Sequence, residues 1–212
     1  MTVHCFLSKL KQTNNYLVEI GQNQFIGIDL GLIEVGEIIH FVEQKGGQLI
    51  AYFLTHAHAD HAYGLQEIHD TLNIPIYCSR ACAEEVSDAK KNMSFYMDDV
   101  PTFSHKIPFH LIEDGFVNLD GCKEIELISV PGHSAGCLCV KIDNLLFTGD
   151  FLMEYKTPLN FRTSNKKDYQ ESLKKIMKRF DDEKILCYPG HGKSFNLFEK
   201  LRSIENSNQI VS

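Results

Sequence analysis

The segment Thr55-His56-Ala57-His58-Ala59-Asp60-His61 places three imidazoles and one carboxylate within six consecutive positions, directly after the apolar run Leu49 to Leu54. No other feature restricts so strongly what this chain can become. The run reads as a buried strand, so the donor-rich residues sit on the loop leaving its end, where side chains can converge. Neutral imidazole and carboxylate are the donors that suit zinc and neighbouring first-row metals. Three further segments repeat the pattern: Val130-Pro131-Gly132-His133, Phe147-Thr148-Gly149-Asp150 and Tyr188-Pro189-Gly190-His191 each put one donor after an apolar strand and a glycine. Seven donors thus arrive from four strand ends, a coincidence that isolated surface histidines do not produce. The other histidines, His4, His40, His69, His105 and His110, lack ligand spacing and read as surface or core residues.

The rest of the chain supplies a mixed α/β frame. Val3 to Leu10, Tyr16 to Ile20 and Phe25 to Asp29 read as short strands separated by turn signals. Val35, Ile38, Ile39 and Val42 recur at helical spacing up to Gly46-Gly47. After the donor loop, a helix is predicted near Leu65 to Leu72, a strand at Ile74 to Cys78 and a helix at Ala81 to Lys91. A less regular stretch runs from Asn92 to Gly121. Strands return at Ile125 to Val130, Gly136 to Ile142 and Leu145 to Thr148. Tyr169, Leu173, Ile176, Met177 and Phe180 form one helical stripe, with Asn165 as N-cap, and Ile185 to Tyr188 is the last donor-bearing strand.

With 212 residues and 43% hydrophobic content, the chain suits one catalytic domain covering residues 1–212. No linker or low-complexity tract interrupts it. Its apolar runs fall short of the roughly 18 residues that a membrane span needs, and the N-terminus has no signal-peptide pattern, so a cytoplasmic protein is expected. The net charge of -7 argues against a general polyanion-binding surface, and no nucleic-acid or membrane partner is expected. Seven cysteines (Cys5, Cys78, Cys82, Cys122, Cys137, Cys139 and Cys187) are an odd number without a secretory signal and read as reduced thiols.

The order His-x-His-x-Asp-His followed by a distant His, Asp and His resembles the metallo-β-lactamase-fold hydrolases. The resemblance covers residues 55 to 191. It implies a four-layer αββα sandwich of two mixed β-sheets flanked by helices, with the site along one edge. It also implies that His56, His58 and His133 hold one divalent ion, that Asp60, His61 and His191 hold a second, and that Asp150 bridges the two. Zinc is the expected metal, with iron or manganese as alternatives. A hydroxide shared by the ions would be the nucleophile, with Asp60 orienting it and handling its proton. Asp29, at the end of an apolar strand, matches a position that braces the histidine loop from behind.

The complete donor set and the short length are most similar to single-domain glyoxalase II-like proteins, which implies a small acidic thioester, or another activated ester, as substrate. The chain departs from that group after Asp150, reading Phe151-Leu152-Met153-Glu154-Tyr155-Lys156 and then Asn160-Phe161-Arg162 where Leu-Phe and Gly-Arg are usual. Lys156, Arg162 and Lys193 are the candidates for contacting an anionic end of the substrate. Two alternatives remain at this level: a mononuclear iron persulfide dioxygenase using only the first donor set, and a nucleic-acid phosphodiesterase or binding protein.

Overall fold

The computed structural model describes residues 1–21, 23–119, 124–180 and 184–206. Two mixed sheets form its centre. The first is built from β1 (Thr2–Leu7), β2 (Asn14–Gly21), β3 (Gln24–Ile28), β4 (Gln48–Phe53), β5 (Ile76–Cys78) and β6 (His110–Leu111), in that spatial order. Its first two pairings are antiparallel and the rest parallel. The second runs β12-β11-β10-β9-β8-β7, from β7 (Gly115–Val117), β8 (Ile125–Ser129), β9 (Leu138–Ile142), β10 (Leu145–Gly149), β11 (Leu186–Pro189) and β12 (Phe195–Asn196). Here only the β10/β11 pair is parallel.

Alternation along the strands explains the layering, because successive side chains leave a strand on opposite faces. Tyr16 and Val18, Ile26 and Ile28, and Ala51 and Phe53 meet Leu138, Val140 and Phe147 from the opposite sheet in one buried cluster. The intervening residues face outward. Leu17, Phe25 and Tyr52 pack under α1 (Val35–Gln44), α3 (Leu65–Leu72) and α4 (Arg80–Val86), through Ile38, Leu65 and Cys82 among others. Ile128, Cys139, Leu146 and Cys187 pack under α5 (Lys166–Arg179) and α6 (Leu197–Asn206), through Leu173, Ile176 and Leu201. Each strand of the two sheet centres is thus apolar on both faces, and the result is helix, sheet, sheet, helix. This is the αββα architecture that the donor pattern implied.

The differences from the sequence reading have local causes. β1 stops at Leu7 rather than Leu10, because residues 8 to 13 fold into a tight turn closed by Ser8 N donating to Thr13 O at 2.9 Å. α4 ends at Val86, well before Lys91, because Ser87 turns its hydroxyl back onto the Ala83 and Glu84 carbonyls and Asp88 caps the following turn through Lys90 N. The stretch expected to be irregular contains a 3-10 turn at Ser94–Tyr96 as well as β6 and β7; its end at Gly121, like Cys122, lies outside the described residues. β12 and α6 were not anticipated. Asn165 caps α5 as expected, its side chain accepting from Lys167 N and Asp168 N. The six described cysteines are free thiols, all buried except Cys5. Among the described residues no helix is long and apolar enough to cross a membrane.

Candidate metal centre

Strand ends of both sheets converge at one rim of the sandwich. β4 runs into the loop carrying His56 and His58, and a one-turn helix, α2 (Ala59–Ala62), carries Asp60 and His61. From the second sheet, the turns after β8, β10 and β11 bring His133, Asp150 and His191. Two glycines make this approach possible. Gly149 adopts a left-handed φ of 48° with Thr55 pressed against it, so a side chain there would be strained and would collide. At Gly190 a Cβ would strike Asp150 Oδ1 and the His61 ring, filling the space between donors.

The donors fall into two triads. His56, His58 and His133 have nitrogen atoms within 4.8 Å of one another, and so do ligand atoms of Asp60, His61 and His191. Asp150 lies between them. Its Oδ2 is 3.6 Å from His133 Nε2 and 3.6 Å from His191 Nε2, and its Oδ1 is 3.4 Å from His61 Nε2. Asp60 Oδ2 approaches His191 Nε2 at 3.2 Å and accepts a hydrogen bond from Thr13 Oγ1 at 3.0 Å.

Outward hydrogen bonds decide which nitrogen of each ring faces the centre. Asp29 Oδ2 accepts from His61 Nδ1 at 2.8 Å, which leaves Nε2 inward. The same carboxylate accepts from Thr55 N and Thr55 Oγ1, each at 2.7 Å, and the Thr55 hydroxyl in turn accepts from His56 Nδ1 at 3.2 Å. His133 Nδ1 donates to the Pro158 carbonyl at 3.0 Å, and His58 Nε2 shares a hydrogen bond with Thr163 Oγ1 at 3.2 Å. Four imidazoles therefore have one nitrogen tied to the surrounding protein and one turned inward. This is the arrangement by which a protein fixes the tautomer and aim of metal-binding histidines. Asp29 adopts a left-handed φ of 56° to reach its partners, a conformation held by those three hydrogen bonds.

A divalent cation fits this constellation. His56 Nε2, His61 Nε2 and Asp150 Oδ1 are buried and have no hydrogen-bond partner. An orphaned buried polar atom costs about 1 to 3 kcal/mol, so several aimed at one point suit a cation as their shared partner. Charge agrees. Burial pushes the His58 imidazole down to about 3, reinforced by neighbouring His133, and burial likewise drives His56 and His133 below the ordinary histidine range. Burial alone would raise the carboxyls, but the adjacent His61 overrides it, holding Asp150 at about 2 and Asp60 below the ordinary range. His61 goes the other way: burial disfavours its charge, yet Asp150, Asp60 and Asp29 together raise it well above the usual value. Carboxylates are thus ionised and most imidazoles neutral, as metal ligation requires, while metal at His61 must displace a proton.

A cleft of about 350 Å³ opens over the centre, lined by Lys11, Met93, Met97, Met153, Tyr155, Pro158 and Phe161 together with the donors His58, Asp60, His133, Asp150 and His191. The Phe161 ring stands 5.5 Å from both the His58 and the His133 rings. Lys156, Arg162 and Lys193 are exposed, and none of the three is part of the lining. Lys156 instead borders a separate cavity of about 760 Å³ beside α5. Sequence reasoning missed Lys11, Thr13, Thr163 and the three cleft methionines. Nothing in their local patterns marks them: Met153 follows Asp150 by three residues without a motif of its own, and the others come from loops remote from the donor motifs.

The family model for the metallo-beta-lactamase superfamily matches residues 9–191. The chain belongs to that superfamily. Its class is that of the metal-dependent hydrolases. Among its relatives, Probable metallo-hydrolase YqgX of Bacillus subtilis (strain 168) is 34% identical over 146 residues, covering 68% of this chain and 67% of that protein. Beta-lactamase-like protein 2 homolog of Caenorhabditis elegans is 30% identical over 86% of this chain, which spans only 57% of the worm protein. Acyl-coenzyme A thioesterase MBLAC2 of Gallus gallus is 24% identical over 98% of this chain and 81% of its own length. The crystal structure of BLEG-1 B3 metallo-beta-lactamase superposes over 100% of both chains with a TM-score of 0.86 at 20% identity, a likeness of fold.

Asp29 gives a direct test of the outward hydrogen bonds. Asp29→Ala is expected to weaken metal binding at the Asp60, His61 and His191 triad by about 10- to 100-fold, the usual cost of removing such a support. The His58 and His133 nitrogens, tied to Thr163 and Pro158, keep their aim. His56 is reached from Asp29 only through the Thr55 hydroxyl, so competition against a chromophoric chelator would resolve a strongly weakened second site and a smaller loss at the first. Two unchanged sites would show that His61 needs no such brace.

Proposed function

We propose that this chain is a single-domain dinuclear hydrolase of small thioesters or other activated esters, with residues 1–212 as the catalytic domain. His56, His58 and His133 would hold one ion and Asp60, His61 and His191 the other, with Asp150 shared between the two sets; zinc is the first candidate. The observation that carries the reading is the pair of adjacent triads with outward-tied imidazoles and orphaned inward donors. Two such ions, when bound, would supply a water of lowered pKa as nucleophile and a Lewis acid for the scissile carbonyl. A serine or cysteine nucleophile is then unnecessary.

The chain's own residues do the rest. Asp60 remains ionised despite burial, and Thr13 orients it, so it presents a fixed proton acceptor at the cleft floor. Tyr155 lines the cleft, and burial together with Asp150 and Asp60 holds its phenol above the ordinary range, so it stays a neutral donor. Phe161 and the methionines provide an apolar wall that excludes water from the acyl portion. The thioesterase name of the chicken relative supports the substrate class.

The test is metal quantification on protein purified without chelator, followed by a panel of thioesters, lactones and phosphodiesters. About two ions per chain and a preference for thioesters are expected. Full activity with one tightly bound ion, or oxygen uptake with a persulfide, would overturn the dinuclear reading.

A further inference from the structure

The turn between β1 and β2 contains two consecutive non-glycine residues in the left-handed region, Lys11 at φ 56° and Gln12 at φ 53°. Such residues avoid this conformation unless the surroundings impose it. Here they do. Ser8 N donates to Thr13 O at 2.9 Å, Leu10 N to Ser8 Oγ at 3.0 Å, and Thr13 N to Leu10 O at 3.3 Å. Thr13 then ties the turn to the centre through its hydroxyl on Asp60 Oδ2. A strained, fully pinned turn anchored to a donor carboxylate thereby delivers one lysine into the wall of the cleft.

That lysine has no counterpart. Among the described residues lining the cleft, Lys11 is the only lysine or arginine, and it has no ion-pair partner among the described residues. The rest of the wall is soft and apolar: Met93, Met97 and Met153 are adaptable side chains that accept chains of varied shape. An apolar wall with one cation fits a molecule with an apolar body and one anionic group. A single lysine makes one charge-assisted contact, which suits a carboxylate. Phosphate sites ordinarily gather several donors, and the cleft wall offers no arginine.

We propose that Lys11 selects substrates bearing a carboxylate, seating that group at the cleft rim while the methionine wall takes the apolar part of the same molecule. This rests on the ester-hydrolase reading above, and it moves the anion contact from Lys156, Arg162 and Lys193 to the β1–β2 turn.

Calorimetry on the metal-loaded protein tests the contact without turnover. The probe is 6-(methylthio)hexanoate, which cannot be hydrolysed, against its neutral primary amide. The wild type should prefer the carboxylate by about tenfold, Lys11→Ala should abolish the preference, and Lys11→Arg should retain it. A preference that survives in Lys11→Ala would place the carboxylate on the metals or elsewhere and overturn the proposal; so would the absence of any preference in the wild type. In turnover, glutaryl and butyryl thioesters of N-acetylcysteamine put the charge on or off the acyl part, and the acetyl thioester of 3-mercaptopropionate puts it on the leaving group. The arm whose kcat/KM falls in Lys11→Ala identifies the charged end. If the wild type cleaves none of them, the ester-hydrolase reading fails, while calorimetry still decides the role of Lys11.

Discussion

Replacing Asp150 by alanine is expected to lower bound divalent metal from about two ions per chain to one or fewer and to reduce turnover more than 100-fold. The reason is position. Asp150 is the carboxylate whose two oxygens reach histidines of both triads, at 3.6 Å from His133 and His191 and 3.4 Å from His61. Without it, two cations would face one another across neutral imidazoles, with Asp60 as the remaining close negative charge. Loss of an outer support costs about 10- to 100-fold in metal affinity or activity, so loss of the shared carboxylate should exceed that range. Gly190 offers no side chain to the space beside Asp150.

Asp150→Asn keeps the size and removes the charge, so the two variants separate a cavity effect from an electrostatic one. Mass-spectrometric metal counting and steady-state rates give the answer. The thermal shift on metal addition is a further measure, since a ligand present at about 1,000 times its Kd stabilises the folded state by about 4 kcal/mol. Two retained ions and wild-type rates in Asp150→Ala would remove the bridging assignment.

The donor residues were legible in the sequence because the scaffold repeats one local device. An apolar strand ends, a tight turn follows, and a histidine or aspartate is released at the rim. His133, Asp150 and His191 each carry that signature with a glycine at the preceding position. Hydrophobic alternation marked most strands, and the Tyr169 to Phe180 stripe with its Asn165 cap marked α5. Alternation could not say which strands pair, nor that two sheets face each other, because pairing is decided by contacts between distant segments such as Phe53 and Phe147. The implied family pattern supplied that step.

What stayed hidden is what loops bring in from elsewhere. Thr13 reaches Asp60 across 47 positions, and Thr163 reaches His58 across 105. Neither lies in a pattern of its own. Lys11 was invisible for a related reason, because the expected strand ran on to Leu10, and only the left-handed turn redirects the chain over the cleft. Lys156 and Arg162 follow Asp150 closely in sequence, yet they sit at exposed positions and are not part of the cleft lining, to which their neighbours Tyr155 and Phe161 contribute.

Asp60→Asn should separate holding metal from handling protons. The amide retains one oxygen for ligation and for the Thr13 hydroxyl, so most of the metal is expected to stay. It has lost the charge that accepts a proton, and kcat should fall by about a hundredfold to ten-thousandfold, the range attributed to a positioned acid or base. The wild-type carboxyl is kept ionised because His61 and His191 hold it below the ordinary carboxylate range against its burial, and its role rests on its position at the cleft floor rather than on high basicity. A group so depressed is ionised throughout the pH range from about 5 to 9 and loses its charge only as the pH falls through its lowered value. Added metal should therefore fail to restore the rate of Asp60→Asn, whereas a merely weakened ligand would recover with it. Metal content and kcat measured on the same preparation, with and without excess zinc, distinguish the two. If excess zinc restores wild-type turnover to Asp60→Asn, Asp60 is a ligand and nothing more, and the proton acceptor must be sought among the other groups at the cleft floor.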